Sequence, residues 1–389
     1  MKNVSELLNP TVVNIKPSGI RKYFDIAAQM DDVISLGVGE PDFPTPWHVR
    51  QVGIKSIEDG CTFYTANSGL MELREEICNY LKRRFSVEYK PESEVLVTVG
   101  GSEAIDGFFR SVVAIGDEVI IPEPSFVCYA PLVTLCGGIP VPVETYEKDE
   151  FCLDPEVLKS KITSKTKALV LPFPNNPTGA VMSRKQLEDI AEVIKDTDIL
   201  VISDEIYGEL TYTEEGHVSF PSIPGMWERT VLVSGFSKAY SMTGWRLGYA
   251  CGPKEIIAQM TKIHQFGIMS APTTAQYAAI EALKNGDEDI AKMRAEYDRR
   301  RKLVVNGFRS VGMDCFEPRG AFYVFPSVKK LGMTSEEFCQ RLLESKHVAV
   351  VPGDAFGKSG QGNIRVSYSY SVKHLKTALE RIGEFIKEL

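Results

Sequence analysis

The sequence runs to 389 residues, 43% hydrophobic and 25% charged, an ordinary globular balance and more chain than one core normally serves. A net charge of −8 argues against a nucleic-acid partner, whose affinity would come from Lys and Arg at phosphates. The eight cysteines include no CxxC pair and the five histidines no ligand spacing such as HExxH, so neither a disulfide scaffold nor a metal site is expected.

The N-terminal MKNVSELLNP lacks the apolar stretch of a signal peptide. Nowhere do about 18 apolar residues run together, so no membrane partner and a cytoplasmic location are expected. The stretch 37-GVGEPDFPTP-46 fits no regular element, and residues 1–46 are expected to pack on a small domain. From about 95 to 252, short apolar runs recur: 95-VLVTV-99, 118-EVII-121, 139-IPVPV-143, 168-ALVLPF-173, 199-ILVIS-203, 230-TVLVS-234 and 248-GYACG-252. Helical patterns separate several of them. In 183-SRKQLEDIAEVIK-195, Leu187, Ile190, Ala191 and Ile194 share one face, and Ser183 with Gln186 reads as a capping box. Apolar strands alternating with amphipathic helices predict an α/β large domain whose mainly parallel sheet is covered on both faces.

Beyond 287 the pattern changes to α+β. A charged helix over 287–312 leads to a strand at 321-AFYVF-325 and a helix near 335–345. Strands at 347-HVAVV-351 and 364-IRVSYS-369 and a helix from about 372 complete it. The expected division is 47–286 for the large domain, with 1–46 and 287–389 forming the small one.

Open parallel sheets bind ligands beyond the carboxyl ends of their strands, so the residues just after each run are informative. There stand 100-GGSEA-104, opening a helix whose free amides suit a phosphate, and 122-PEPSF-126, with the aromatic Phe126. There too stand 174-PNNPTG-179, then Asp204 and Tyr207, and then 235-GFSKAYSMTGWRLG-248 with Lys238 and Arg246. Singly these read as turns, caps and solvated charges. Together they supply an amine, a carboxylate, a flat ring, polar donors and an anion clamp, the parts that a pyridoxal-phosphate (PLP) site needs. Lys238 offers the primary amine. Asp204 would hold a pyridine nitrogen in its protonated form, and Asn176 and Tyr207 would bond the ring's phenolic oxygen. Phe126 would stack on the ring, while Arg246 and the amides near Gly101 and Ser102 would take the phosphate.

The segment SGFSKAYSMTGWRLGY resembles the Schiff-base lysine signature of class I/II aminotransferases of fold type I. ISLGVGEPDFPTP, YTANSGLMELR, GGSEAI, PSFVCYAP, PNNPTGAV, SDEIY, GAFYVFP and VAVVPGDAFG look like further landmarks of that family, in order. The resemblance is to the gamma branch, with its aspartate and aromatic aminotransferases. It implies a PLP-dependent transaminase with Lys238 as catalytic residue, and cofactor contacts at Gly101, Ser102, Glu103, Phe126, Asn176, Asp204, Tyr207, Ser237 and Arg246. It further implies that Arg365, with Asn176 and the backbone of Gly39, holds the substrate α-carboxylate, a task suited to a guanidinium fork. Tyr64 matches a tyrosine that reaches the neighbouring subunit's phosphate, which implies a homodimer.

Two positions depart from the family pattern. Gly235 replaces a Ser or Thr phosphate ligand, so Ser237 or Ser234 must substitute, Ser237 being favoured. Ser102 stands where some aspartate-type relatives carry Lys, which weakens a dicarboxylate-specific reading; Arg21 and Lys22 are other candidates for a distal cation. The expected reaction moves an amino group between an L-amino acid (aromatic, aspartate or related) and a 2-oxo acid such as 2-oxoglutarate. Alternatives are a PLP-dependent C–S β-lyase and an N-acetyl-diaminopimelate aminotransferase. A nicotinamide dehydrogenase is not expected, because Gly37-Val-Gly39-Glu-Pro-Asp42 fails GxGxxG.

Overall fold

Apolar β-branched runs become buried strands, and here they build one central sheet. The structure, a computed structural model, describes residues 3–17, 19, 30 and 32–389; Arg21 and Lys22 lie outside the described residues. After a two-residue strand β1 (Ile34–Ser35) come β2 (Val95–Thr98), β3 (Glu118–Glu123), β4 (Ile139–Glu144) and β5 (Thr166–Leu171). They are followed by β6 (Leu200–Asp204), β7 (Thr230–Gly235) and β8 (Gly248–Cys251). The sheet order is β2-β8-β7-β6-β5-β3-β4. Neighbours from β7 to β4 pair in parallel, and β8 runs against both β7 and β2.

Alternation along each strand sends side chains to both faces, and both are covered. Ala168, Val170, Val231 and Val233 pack with Phe108 and Phe109 of helix Gly101–Val112 and Met260 of helix Lys254–Gly267. Leu169, Leu171 and Val201 face the other way, against Leu187, Ile190 and Ile194. Those three sit on helix Arg184–Ile194, which starts at the expected Ser183–Gln186 capping box. Each such aliphatic burial contributes roughly 1.5–3 kcal/mol.

The C-terminal part carries β9 (Tyr323–Val324), β10 (Val348–Ala349), β11 (Val351–Pro352) and β12 (Ile364–Ser367). β12 lies antiparallel between β11 and β9, and β1 pairs in parallel with β10, Ile34 opposite Val348. The expected single strand over 347–351 is therefore two. The chain changes partners at Val350, and Pro352, lacking an amide hydrogen, closes the second piece. Leu36, helix Asp287–Ser310 (Tyr297, Val304, Phe308), helix Ser335–Lys346 (Phe338, Leu342) and helix Val372–Lys387 (Leu375, Ile382) share one core with these strands. Tyr207 and Leu210, just past β6, reach into that same core. Among the described residues no helix is long and apolar enough to cross a membrane.

Candidate active site

A pocket of about 350 Å³ opens where β3, β5, β6 and β7 end. Gly39, Gly101, Ser102, Phe126, Asn176, Asp204, Tyr207, Ser237, Lys238, Arg246 and Arg365 all line it. Two of the expected residues do not. Tyr64 is 81% exposed in the loop after helix Trp47–Glu58. The Glu103 carboxylate turns away from the pocket to the Val99 amide and His264.

Lys238 lies just past β7, and its Nζ donates to the Gly39 carbonyl. A Cβ on Gly39 would fall 2.2 Å from the Tyr323 hydroxyl oxygen, so glycine lets this backbone lie close to that ring. Burial, then the positive charge of Arg365, brings the lysine pKa down to about 8, against the pull of Glu40 and Asp204. Near neutral pH the amine is therefore poised between ammonium and nucleophile.

Asp204 closes β6. Its Oδ2 accepts from Tyr129 Oη at 2.6 Å and its Oδ1 from the Ile206 amide at 3.2 Å. Burial raises the carboxyl pKa, while those two donors hold it down. Beside it the Tyr207 and Tyr323 hydroxyls share a hydrogen bond of 2.7 Å. Burial keeps both phenols protonated above their ordinary range.

Arg365, on β12, is 2% exposed. Its Nη1 donates to Asn176 Oδ1 at 2.9 Å and its Nη2 to the Gly37 carbonyl, and it lies over the Tyr323 and Phe356 rings. No carboxylate among the described residues pairs with it, and its Nε has no partner among them. A buried charge without a counterion is costly, so this guanidinium is poised to receive an anion.

A second anion cradle lies across the pocket. Helix Gly101–Val112 starts with no side-chain cap, which leaves its first amides and positive dipole end available. Arg246 has a left-handed backbone (φ 55°) that brings its guanidinium beside Gly100; a Cβ there would sit 2.6 Å from Nη2. Ser237 lines this pocket, whereas Ser234 does not and donates instead to the Glu205 carbonyl at 3.3 Å. Phe126 stands edge-on to Tyr129 at the wall. Tyr129 and Tyr323 are pocket residues that sequence reasoning missed. PSFVCYAP and GAFYVFP stand out as landmarks, but nothing local points to the tyrosines themselves.

The family model for class I and II aminotransferases matches residues 31–382. The protein YugH of Bacillus subtilis (strain 168) is 53% identical over 383 residues, 98% of this chain and 99% of its own length. An aspartate aminotransferase of Pyrococcus abyssi (strain GE5 / Orsay) is 46% identical over 376 residues, 96% of this chain and 97% of its own. The crystal structure of an aromatic aminotransferase from Pyrococcus horikoshii OT3 superposes with a TM-score of 0.90 at 44% identity, covering 95% of this chain and 99% of that one.

Proposed function

We propose a division of labour within this chain, which belongs to the class I and II aminotransferases and is a PLP-dependent transaminase of fold type I. The residues present fit the cofactor on two counts. A capless helix start beside Arg246 suits its phosphate, and a buried carboxylate suits its ring nitrogen. PLP, when bound, supplies an aldehyde carbon that takes up the amino group and a ring that accepts the electron pair released at the substrate Cα.

In our reading Lys238 Nζ takes the proton from the substrate Cα and delivers it to the cofactor C4′, first base and then acid. Its lowered pKa supports that double role. Asp204, oriented by Tyr129, holds the proton on the ring nitrogen, and Tyr207 and Asn176 hydrogen-bond the phenolic oxygen. Phe126 covers the ring face. Arg246, Ser237 and the amides at Gly101 and Ser102 hold the phosphate. Arg365 grips the substrate α-carboxylate beside Asn176 and Gly39, and its lack of a counterion among the described residues is the observation that carries this assignment. We take 47–286 as the cofactor domain, with 1–46 and 287–389 as the small domain; the pairing of β1 with β10 supports that grouping. The family relationship does not favour the lyase alternative.

We further propose a cytoplasmic homodimer in which Tyr64 reaches the neighbouring subunit's phosphate. Free cysteines support a reducing compartment. Phe63, Tyr64, Phe266, Ile268 and Met269 are exposed, and hydrogen bonds Thr273–Phe63 and Asn67–Met269 gather them into one apolar area, as at subunit interfaces. Sedimentation of the active enzyme is expected to give two chains; a fully active monomer contradicts the role of Tyr64.

Charge governs the choice of amino donor. The pocket's basic groups among the described residues are Lys238, Arg246 and Arg365, each already occupied in this scheme. A buried distal carboxylate without a partner costs several kcal/mol, whereas an aromatic side chain contributes about 1.5–3 kcal/mol on burial. With 2-oxoglutarate as acceptor, Tyr or Phe is expected to show a kcat/KM at least comparable to Asp. An Asp preference of about 100-fold, roughly 2.7 kcal/mol, would mean that a distal cation completes the site.

A further inference from the structure

The turn that joins β2 to helix Gly101–Val112 is clamped from two sides. On the sheet side, Thr98 Oγ1 donates to the Gly100 carbonyl at 2.9 Å, and Gly248 lies so close that a Cβ on it would meet Gly100 C at 2.5 Å. On the helix side stands Glu103, in the helix's first turn. A glutamate three residues past the N-cap commonly reaches back to the N-cap amide. Here the N-cap is Gly100, and the carboxylate reaches one residue further, to the amide of Val99. Neither carboxylate oxygen takes an amide of the helix's first turn, and Gly101 and Ser102 line the pocket.

The other carboxylate oxygen, Oε1, meets His264 Nδ1 at 2.5 Å. His264 is 2% exposed and lies with Ile257 and Met260 on the buried face of helix Lys254–Gly267. An apolar side chain would suit that face equally well, and Nε2 has no partner among the described residues. What the imidazole adds is a donor that fixes the Glu103 rotamer, and with it the Val99 amide.

We propose that Glu103 and His264 are positioning residues that hold the Val99–Ser102 turn in the shape that receives the cofactor's phosphate. This rests on the proposed function, in which that turn and Arg246 hold the phosphate. Neither side chain touches the cofactor; both act through the turn.

The test compares two probes on the apo-protein, pyridoxal 5′-phosphate and phosphate-free pyridoxal, by equilibrium titration. Glu103→Met and His264→Leu both remove the link. Each is expected to weaken the phosphorylated probe by about tenfold or more, the scale of a lost charge-assisted hydrogen bond, and to leave pyridoxal within about twofold. Glu103→Gln and His264→Asn keep a donor–acceptor pair in place and are expected to hold wild-type affinity within about threefold. Thermal melts check that each variant is folded. Equal weakening of both probes, or of neither, overturns the proposal, because a purely structural pair has no reason to distinguish them. Arg246→Met separates the two levels. If it leaves the preference for the phosphorylated probe intact, the phosphate reading itself fails. If it abolishes that preference while the Glu103 and His264 variants keep it, only the positioning role fails.

Discussion

Lys238→Ala is expected to lower kcat by at least 10²–10⁴-fold, the range associated with loss of a general acid–base group, and further to the extent that amine exchange also fails. PLP should still bind through the ring and phosphate contacts, so the loss appears in kcat rather than in cofactor content. Steady-state rates and cofactor titration on one preparation check both halves. Near-normal turnover would remove Lys238 from the chemistry. The wild-type apo-protein carries a companion signature. Because the lysine pKa is lowered to about 8, its neutral, reactive form grows in as pH rises through that value. Acylation of Lys238 should show a midpoint near 8, well below that of a solvated lysine near 10.4.

Asp204→Ala should fail for a different reason. Burial works against a charged carboxylate at this position, yet the Tyr129 hydroxyl and the Ile206 amide both donate to it. Burial raises its pKa on balance, and these two donors are what favour the charged form that a protonated ring nitrogen would pair with. Alanine leaves that nitrogen free to lose its proton and leaves the Tyr129 hydroxyl without its acceptor. A kcat lower by at least roughly 10²-fold is expected, as for other catalytic electrostatic contacts, with attachment at Lys238 preserved. Normal kcat in this variant refutes the pairing.

Much of this architecture is legible in sequence because one periodicity dominates it. All seven apolar runs between 95 and 252 are strands of one sheet; most are buried on both faces and so carry few polar interruptions, while β4, at the sheet edge, is largely exposed. The rule that ligands sit beyond the carboxyl ends of parallel strands then locates Asp204, Lys238 and the Gly101–Ser102 turn. What escapes depends on contacts that no local pattern records. Nothing within HVAVV marks Val350 as the point where the chain leaves β1 for β12. Tyr129 meets Asp204 across 75 positions, and Tyr323 meets Tyr207 across 116. His264 sits at core spacing on its helix and reads as filler until its partner is seen. The resemblance implies Glu103 as a cofactor contact, but one residue along a helix turns a side chain through about 100°, and its carboxylate faces the other way.

If Lys238 carries the cofactor, reduction of the holoenzyme will trap it there. Borohydride treatment and then peptide mapping should fix the pyridoxyl group on Lys238, within GFSKAYSMTGWR, at close to one group per chain. Recovery of the label on any other lysine, or its absence from that peptide, would contradict the account.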